Sequence, residues 1–219
     1  MSATEMRKHI DSFRDFISPK NDSSIALWET FKGLYVEELK KSSNDKLKEI
    51  LTRFGERSIR TEFNREIIHG IAKNIELGVN EEVLQIDFAL TKTPKSGYPI
   101  PIIFVEHEND ISSEPTNHEI SKLCFTNAPL KVFITWISGD WENERKNSLD
   151  DFWWYMVASY QEVYGDIPGT LGLIVGEVNS ENKTVKYFSE RWDENHKWED
   201  GSKGAFTFEE IIFEHKIEI

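Results

Sequence analysis

The sequence contains one cysteine, Cys124, among 219 residues. A single thiol excludes an internal disulfide framework and any all-cysteine zinc site. No apolar run approaches the roughly 18 residues that a membrane helix requires. The opening stretch MSATEMRKHIDSF lacks the apolar centre of a secretory signal. These absences set the expectation of a cytoplasmic chain with no membrane association. Basic side chains are also scarce, 26 against 39 acidic ones, for a net charge of −13. Phosphate affinity comes mainly from Lys and Arg, so this balance argues against a general polyanion binder. Paired-histidine zinc spacings such as HExxH do not occur, and no Gly-Lys-Ser/Thr follows Gly165, Gly169, Gly172 or Gly176 to make a phosphate loop.

What is abundant is apolar and aromatic material, 38% and 12% of the residues, enough for a sizeable core in one large domain. The charge is uneven. Residues 1–78 carry 14 basic and 13 acidic groups, and the remainder carries 12 and 26. Within residues 40–65 eight basic side chains (Lys40, Lys41, Lys46, Lys48, Arg53, Arg57, Arg60 and Arg65) face four acidic ones. If nucleic acid docks anywhere, it docks there; the plainer reading is a solvated helical face.

Periodicity divides the chain in two. Met6, Ile10, Phe13 and Ile17 recur at helical spacing, as do Ile25, Trp28, Phe31, Tyr35 and Leu39. A short helix is expected over Lys46–Phe54, and a fourth from Ser58 to Gly78 with the stripe Ile59, Phe63, Ile67, Ile71 and Ile75. The period then becomes two. In EEVLQIDFAL, Leu84, Ile86, Phe88 and Leu90 alternate with Val83, Gln85, Asp87 and Ala89, which reads as one strand. Ile102–Glu108 reads as a buried central strand, followed by a helix capped at Thr116 or Asn117 and a third strand at Lys131–Ile137. Asp150 is the expected cap of an aromatic helix ending at Gly165. Leu171–Val178 and Thr184–Ser189 suggest a hairpin. WDENHKWEDGSKG reads as loop, with Trp192 and Trp198 as candidates for an exposed binding surface, the alternative being that they cap the core. TFEEIIFEHKI reads as a helix with a Thr207/Glu210 capping box. The expected organisation is a helical extension, residues 1–57, packed on a mixed α/β core, residues 58–219.

Three acids stand out. Asp87 sits mid-strand, where a lone carboxylate is costly to bury. Glu106 and Glu108 lie two apart on the next strand, so they share a face with Cα atoms about 6.6 Å apart. Should these neighbouring strands pair, three carboxylates converge, and their repulsion calls for a hard, oxygen-seeking cation such as Mg²⁺ or Mn²⁺. Glu62 and Glu66, four apart on the fourth helix, could present one acid to the cluster. His118 and Lys122 are likewise four apart, and Lys122 could bring an ammonium to a phosphate oxygen. The competing interpretation makes all of these solvated surface charges. Against it, Glu106 directly follows Ile-Ile-Phe-Val, which is too apolar for an edge strand.

Ile86-Asp87-Phe88, then Phe104-Val105-Glu106-His107-Glu108-Asn109, then the helix from His118 to Cys124 together resemble the PD-(D/E)xK nuclease-like superfamily. The resemblance spans roughly residues 58–137 and implies a restriction-endonuclease-like mixed sheet flanked by helices, with extra N-terminal helices. It implies Asp87 and Glu106 as metal ligands, one or two Mg²⁺ or Mn²⁺ ions, and Glu66 as an added helix ligand. Glu108 would stand where the superfamily usually has its catalytic lysine, and Lys122 would be a lysine relocated to the neighbouring helix. The implied activity is metal-dependent phosphodiester hydrolysis, with DNA ahead of RNA as partner. One alternative is a noncatalytic acidic binding or inhibitor module on the same fold. Another is an imidazole-held metal hydrolase using His107, His118 or His69; alternation opposes it, because His107 points away from Glu106 and Glu108.

Overall fold

The computed structural model describes residues 22–95, 97–109, 113–141, 153–197 and 203–217. Five helices and seven strands are present among the described residues. They follow in the order α1 (Asp22–Lys41), α2 (Asn44–Thr52), α3 (Arg57–Asn74), β1 (Gly78–Val83), β2 (Ile86–Lys92), β3 (Ile100–Glu108), α4 (Ser113–Phe125), β4 (Leu130–Ser138), α5 (Trp154–Tyr164), β5 (Thr170–Asn179), β6 (Thr184–Lys197) and β7 (Lys203–Lys216). The sheet follows chain order from β1 to β7. Its centre, β3-β4-β5, is parallel, and an antiparallel pair of strands flanks each side.

Parallel neighbours need crossover connections, and α4 and α5 supply them. Both pack on one face, where Ile120, Leu123, Trp153 and Val157 meet Phe104, Phe133 and Leu173. The other face is covered by α1, α2 and α3, whose Trp28, Tyr35, Ile50, Phe63 and Ile71 form one cluster with Val105, Ile134 and Ile174. Two tryptophans lie flat against this sheet because glycine makes room for them. A Cβ at Gly176 would come within 2.5 Å of the Trp136 ring, and one at Gly172 within 2.5 Å of Trp28.

Several expectations are corrected. EEVLQIDFAL is not one strand but the antiparallel pair β1 and β2, joined at Leu84 and Gln85, both with positive φ (55° and 65°). TFEEIIFEHKI is the edge strand β7 rather than a helix. Much of WDENHKWEDGSKG is strand as well, because β6 runs on to Lys197. Trp192 is buried against Phe206, so it is core and not exposed surface. The helix after β3 begins at Ser113, ahead of the expected cap. The expected helix over Met6–Ile17, the Asp150 cap and Trp198 lie outside the described residues.

Candidate active site

Phe88 pairs with Val105 across the antiparallel β2–β3 ladder, so Asp87 comes opposite Glu106 near the C-terminal end of β3. Side chains take over the ladder there. The Asp87 amide donates to Glu106 Oε2 (2.8 Å), and the His107 amide donates to Asp87 Oδ2 (2.8 Å). Two residues away on the same strand faces, Ala89 and Phe104 belong to the α4 side of the core. The two carboxylates therefore face α4.

From that helix come Glu119 and Lys122, three residues apart and so on one face. Lys122 Nζ forms ion pairs with Glu106 Oε1 and Glu119 Oε2, and donates to the Gln85 carbonyl at 2.7 Å. The Lys122 ammonium thus joins α4, β3 and the β1–β2 turn. Glu106 is fully buried. Burial first, then the neighbouring Glu119, push its carboxyl up to about 9, against the pull of Lys122 and the Asp87 amide. Burial also raises Asp87, outweighing the His107 amide and Lys122. Glu119 goes the other way: burial is overcome by its bonds with Glu106 and Lys122, and it stays below the ordinary carboxylate value. Burial lowers Lys122, but Glu106 and Glu119 more than restore it, so it remains an ammonium. At neutral pH the cluster holds one ammonium and a proton kept on Glu106, because three acids share too little positive charge.

The acid that joins Asp87 and Glu106 is Glu119, which the sequence reading did not single out. Its signal was available: it lies beside the apolar Ile120, Leu123 and Cys124 and three residues before Lys122. Glu108 is half-buried at the end of β3, where its carbonyl accepts from Thr135 Oγ1 (2.9 Å). Glu66 is a correction. It lies on α3, which covers the opposite face of the sheet, and is ion-paired with Lys46 on the surface. Glu62 pairs with Arg65. His118 is exposed. His107 points to the α3 side, as alternation required, and burial followed by the Arg60 charge hold it neutral, down to about 3.

The donors suit a hard divalent ion: buried carboxylate oxygens, two of them on acids reluctant to ionise without more positive charge. Among the described residues, however, no three His, Cys, Asp or Glu side chains are disposed around one point as a finished ion site. Glu106 Oε1 is taken by Lys122, and Glu106 Oε2 and Asp87 Oδ2 by backbone amides. An incoming cation would have to displace Lys122.

The stretch 40–65 carries less free positive charge than its composition suggests. Lys41 pairs with Glu38, Lys46 with Glu66, Arg53 with Glu49 and Glu56, and Arg65 with Glu62 and Glu81. No described helix is long and apolar enough to cross a membrane. No family model, curated protein or solved structure matched this chain.

Proposed function

We propose that this chain is a metal-dependent phosphodiesterase acting on nucleic acid, DNA ahead of RNA, on a restriction-endonuclease-like fold. One observation carries the proposal: Asp87, Glu106 and Glu119 gather around the single Lys122 ammonium, with Glu106 buried and held protonated. Perturbed carboxyls of this kind are expensive for the fold and cluster at functional sites. The element order supports the same reading. A helix, β1, the Asp87 strand, the apolar Glu106 strand, α4 and β4 follow one another as in the superfamily that residues 58–137 resemble.

A divalent cation held by Asp87 and Glu106 would neutralise the phosphodiester and make a bound water more acidic. The rest falls to the chain's own groups. Glu106 has to release its proton before it can serve as a ligand. Glu119, ionised and adjacent, is placed to accept a proton. Lys122 keeps its charge and, freed from Glu106, faces the negative charge that builds on the phosphate oxygens.

The test uses purified protein with Mn²⁺ and supercoiled plasmid. Nicking is expected, with a loss of about 100-fold or more in Glu106→Gln. Calorimetry in buffers of different ionisation enthalpy should show proton release when Mn²⁺ binds, and Asp87→Ala should abolish binding. Folded protein that neither binds Mn²⁺ nor cuts DNA or RNA with any divalent ion would end this reading. The internal neutralisation of the 40–65 cations favours the second one, a noncatalytic acidic binding module, for which metal binding is not required.

A further inference from the structure

Arg60 is the most conspicuous charge that the candidate active site leaves unused. It lies in the first turn of α3 and is 3% exposed. Its Nε donates to Asn109 Oδ1 (2.8 Å), and its guanidinium carbon lies 4.1 Å from the centre of the Phe54 ring. Neither partner carries charge, and Arg60 forms no ion pair among the described residues. Its Nη1 is buried with no hydrogen-bond partner at all. A guanidinium cannot shed its proton to escape this situation. A cation sealed away with no anion among the described residues is a costly arrangement for a fold to hold. Here it occurs in a protein with 39 acidic side chains.

The surroundings repeat the pattern. Asn64, one turn along α3, is fully buried and accepts from Tyr35 Oη at 2.9 Å, while its Nδ2 has no partner. Phe63 between them meets the Trp136 ring at 6.2 Å, and Trp136 Nε1 is also buried and unbonded. Arg60 and Asn64 on α3 and Trp136 on β4 thus each hold a buried N–H donor with no partner, and the neutral His107 ring beside the Arg60 charge has its Nε2 buried and unbonded as well. Arg60 is tied to the end of β3 through Asn109, whose Nδ2 donates to Thr61 Oγ1 (3.0 Å). Asn109 is half-buried, so it is the side of Arg60 nearest solvent among these partners. It stands three residues from Glu106, just past the end of β3.

We propose that Arg60 is an anion site for a phosphate group, entered at Asn109, with the guanidinium fork and adjoining N–H donors as its ligands. A planar fork with an unspent N–H matches a phosphate's oxygens, and phosphate supplies the negative charge that the described residues around Arg60 do not. That the phosphate belongs to a nucleic acid strand rests on the function proposed above. Phosphate binding at Arg60 does not.

The experiment follows thermal unfolding of the full chain by tryptophan fluorescence, with sodium phosphate titrated against sodium chloride at matched ionic strength. Wild type should gain roughly 5–10 °C at a hundredfold excess over Kd. Arg60→Met, which keeps the stem and removes the charge, should unfold no earlier than wild type without phosphate and gain nothing when it is added. Arg60→Lys, a point charge without the fork, should retain only part of the gain and serves if the methionine variant fails to fold. Equal phosphate responses in wild type and either variant would overturn the proposal, as would no response in wild type. A second arm measures a labelled DNA duplex by anisotropy without divalent ions. Arg60-dependent binding that phosphate competes away assigns the site to a substrate phosphate. An Arg60-dependent phosphate response with no duplex binding leaves the anion site standing for free phosphate and removes support from the nuclease reading. Glu106→Gln should respond to phosphate as wild type does, so loss of hydrolysis and loss of this site are told apart.

Discussion

Glu106 and Glu209 are both strand glutamates packed beneath a helix, and each meets a lysine from that helix. Glu209, on β7, accepts from Trp28 Nε1 (2.8 Å), Lys32 Nζ (2.9 Å) and Arg191 Nε (3.0 Å). Burial raises its carboxyl, but Lys32, Trp28 and Arg191 together bring it below the ordinary value. Glu106 has one cation, shares it with Glu119 and has Asp87 alongside. It ends far above the ordinary value. Burial raises both acids, and raises Glu106 more, since its side chain is wholly enclosed while that of Glu209 is 18% exposed. The donors then decide the sign: three offset burial at Glu209, and Lys122 with one backbone amide do not at Glu106. One acid is complete within the fold, and the other stays incomplete until something positive arrives.

The comparison breaks most visibly in stability. Glu209→Gln should cost about 2–3 kcal/mol in urea unfolding at pH 7, since it weakens charge-assisted bonds to two cations. The almost fully buried Lys32 keeps Glu29 (3.0 Å) and Glu210 (3.3 Å), which limits the loss. Glu106→Gln should cost less than half as much at that pH, because the amide is uncharged like the protonated acid already there, although its NH2 has to face Lys122 or the Asp87 amide. Equal losses in the two variants would erase the distinction.

Their pH profiles should slope in opposite directions. The folded state holds a proton on Glu106 up to about 9, whereas the unfolded chain releases it near 4.5. Between those values the folded state binds more protons, so this group makes stability fall as pH rises. Glu106→Gln should flatten that slope between pH 5 and 9, as measured by urea unfolding across the range. Glu209 has the depressed value, so its contribution is present above about 4.5 and is lost as pH falls through its folded value. Glu209→Gln should remove that acid-side loss and leave the alkaline slope intact.

The smallest expected effect is at the turn beside the site. Leu84 and Gln85 hold positive φ, a conformation that Asn-Gly adopts with far less strain. Leu84→Asn with Gln85→Gly should add about 1 kcal/mol, read as a shift in the urea midpoint. The Gln85 carbonyl would remain in place for Lys122. A loss instead would mean that the leucine at 84, although exposed, makes contacts that matter.

That turn also explains where the sequence was hard to read. Ile102–Val105 and the Phe63–Ile71 stripe were plain, because burial on both sheet faces and a regular helix leave unambiguous periods. Asp87 and Glu106 were legible for the same reason, as acids set into apolar strands. The β1–β2 hairpin was not, since no Gly or Asn marks residues 84 and 85, and alternation continues unbroken through them. β7 imitates a helix because its pairing with β6 shifts register near Tyr187/Phe188 and Ser189/Glu190, which sets Ile211, Ile212 and Phe213 side by side. Glu119 went unnoticed because a helical acid next to an apolar stripe is ordinarily a surface charge. Only the strands beneath α4 reveal what it meets.

The bond from Trp28 to Glu209 spans 181 residues. The first described helix therefore gains its charged anchor only when β7, at the far end of the chain, has taken its place at the sheet edge. Until then, Lys32 lacks two of its three carboxylate partners, Glu209 and Glu210, and the aromatic rings of its helix have only the sheet centre to pack on. Long-range closure of this kind slows folding. A growing chain would carry the β7-facing side of this helix uncovered longest, and that is where a chaperone would find a use.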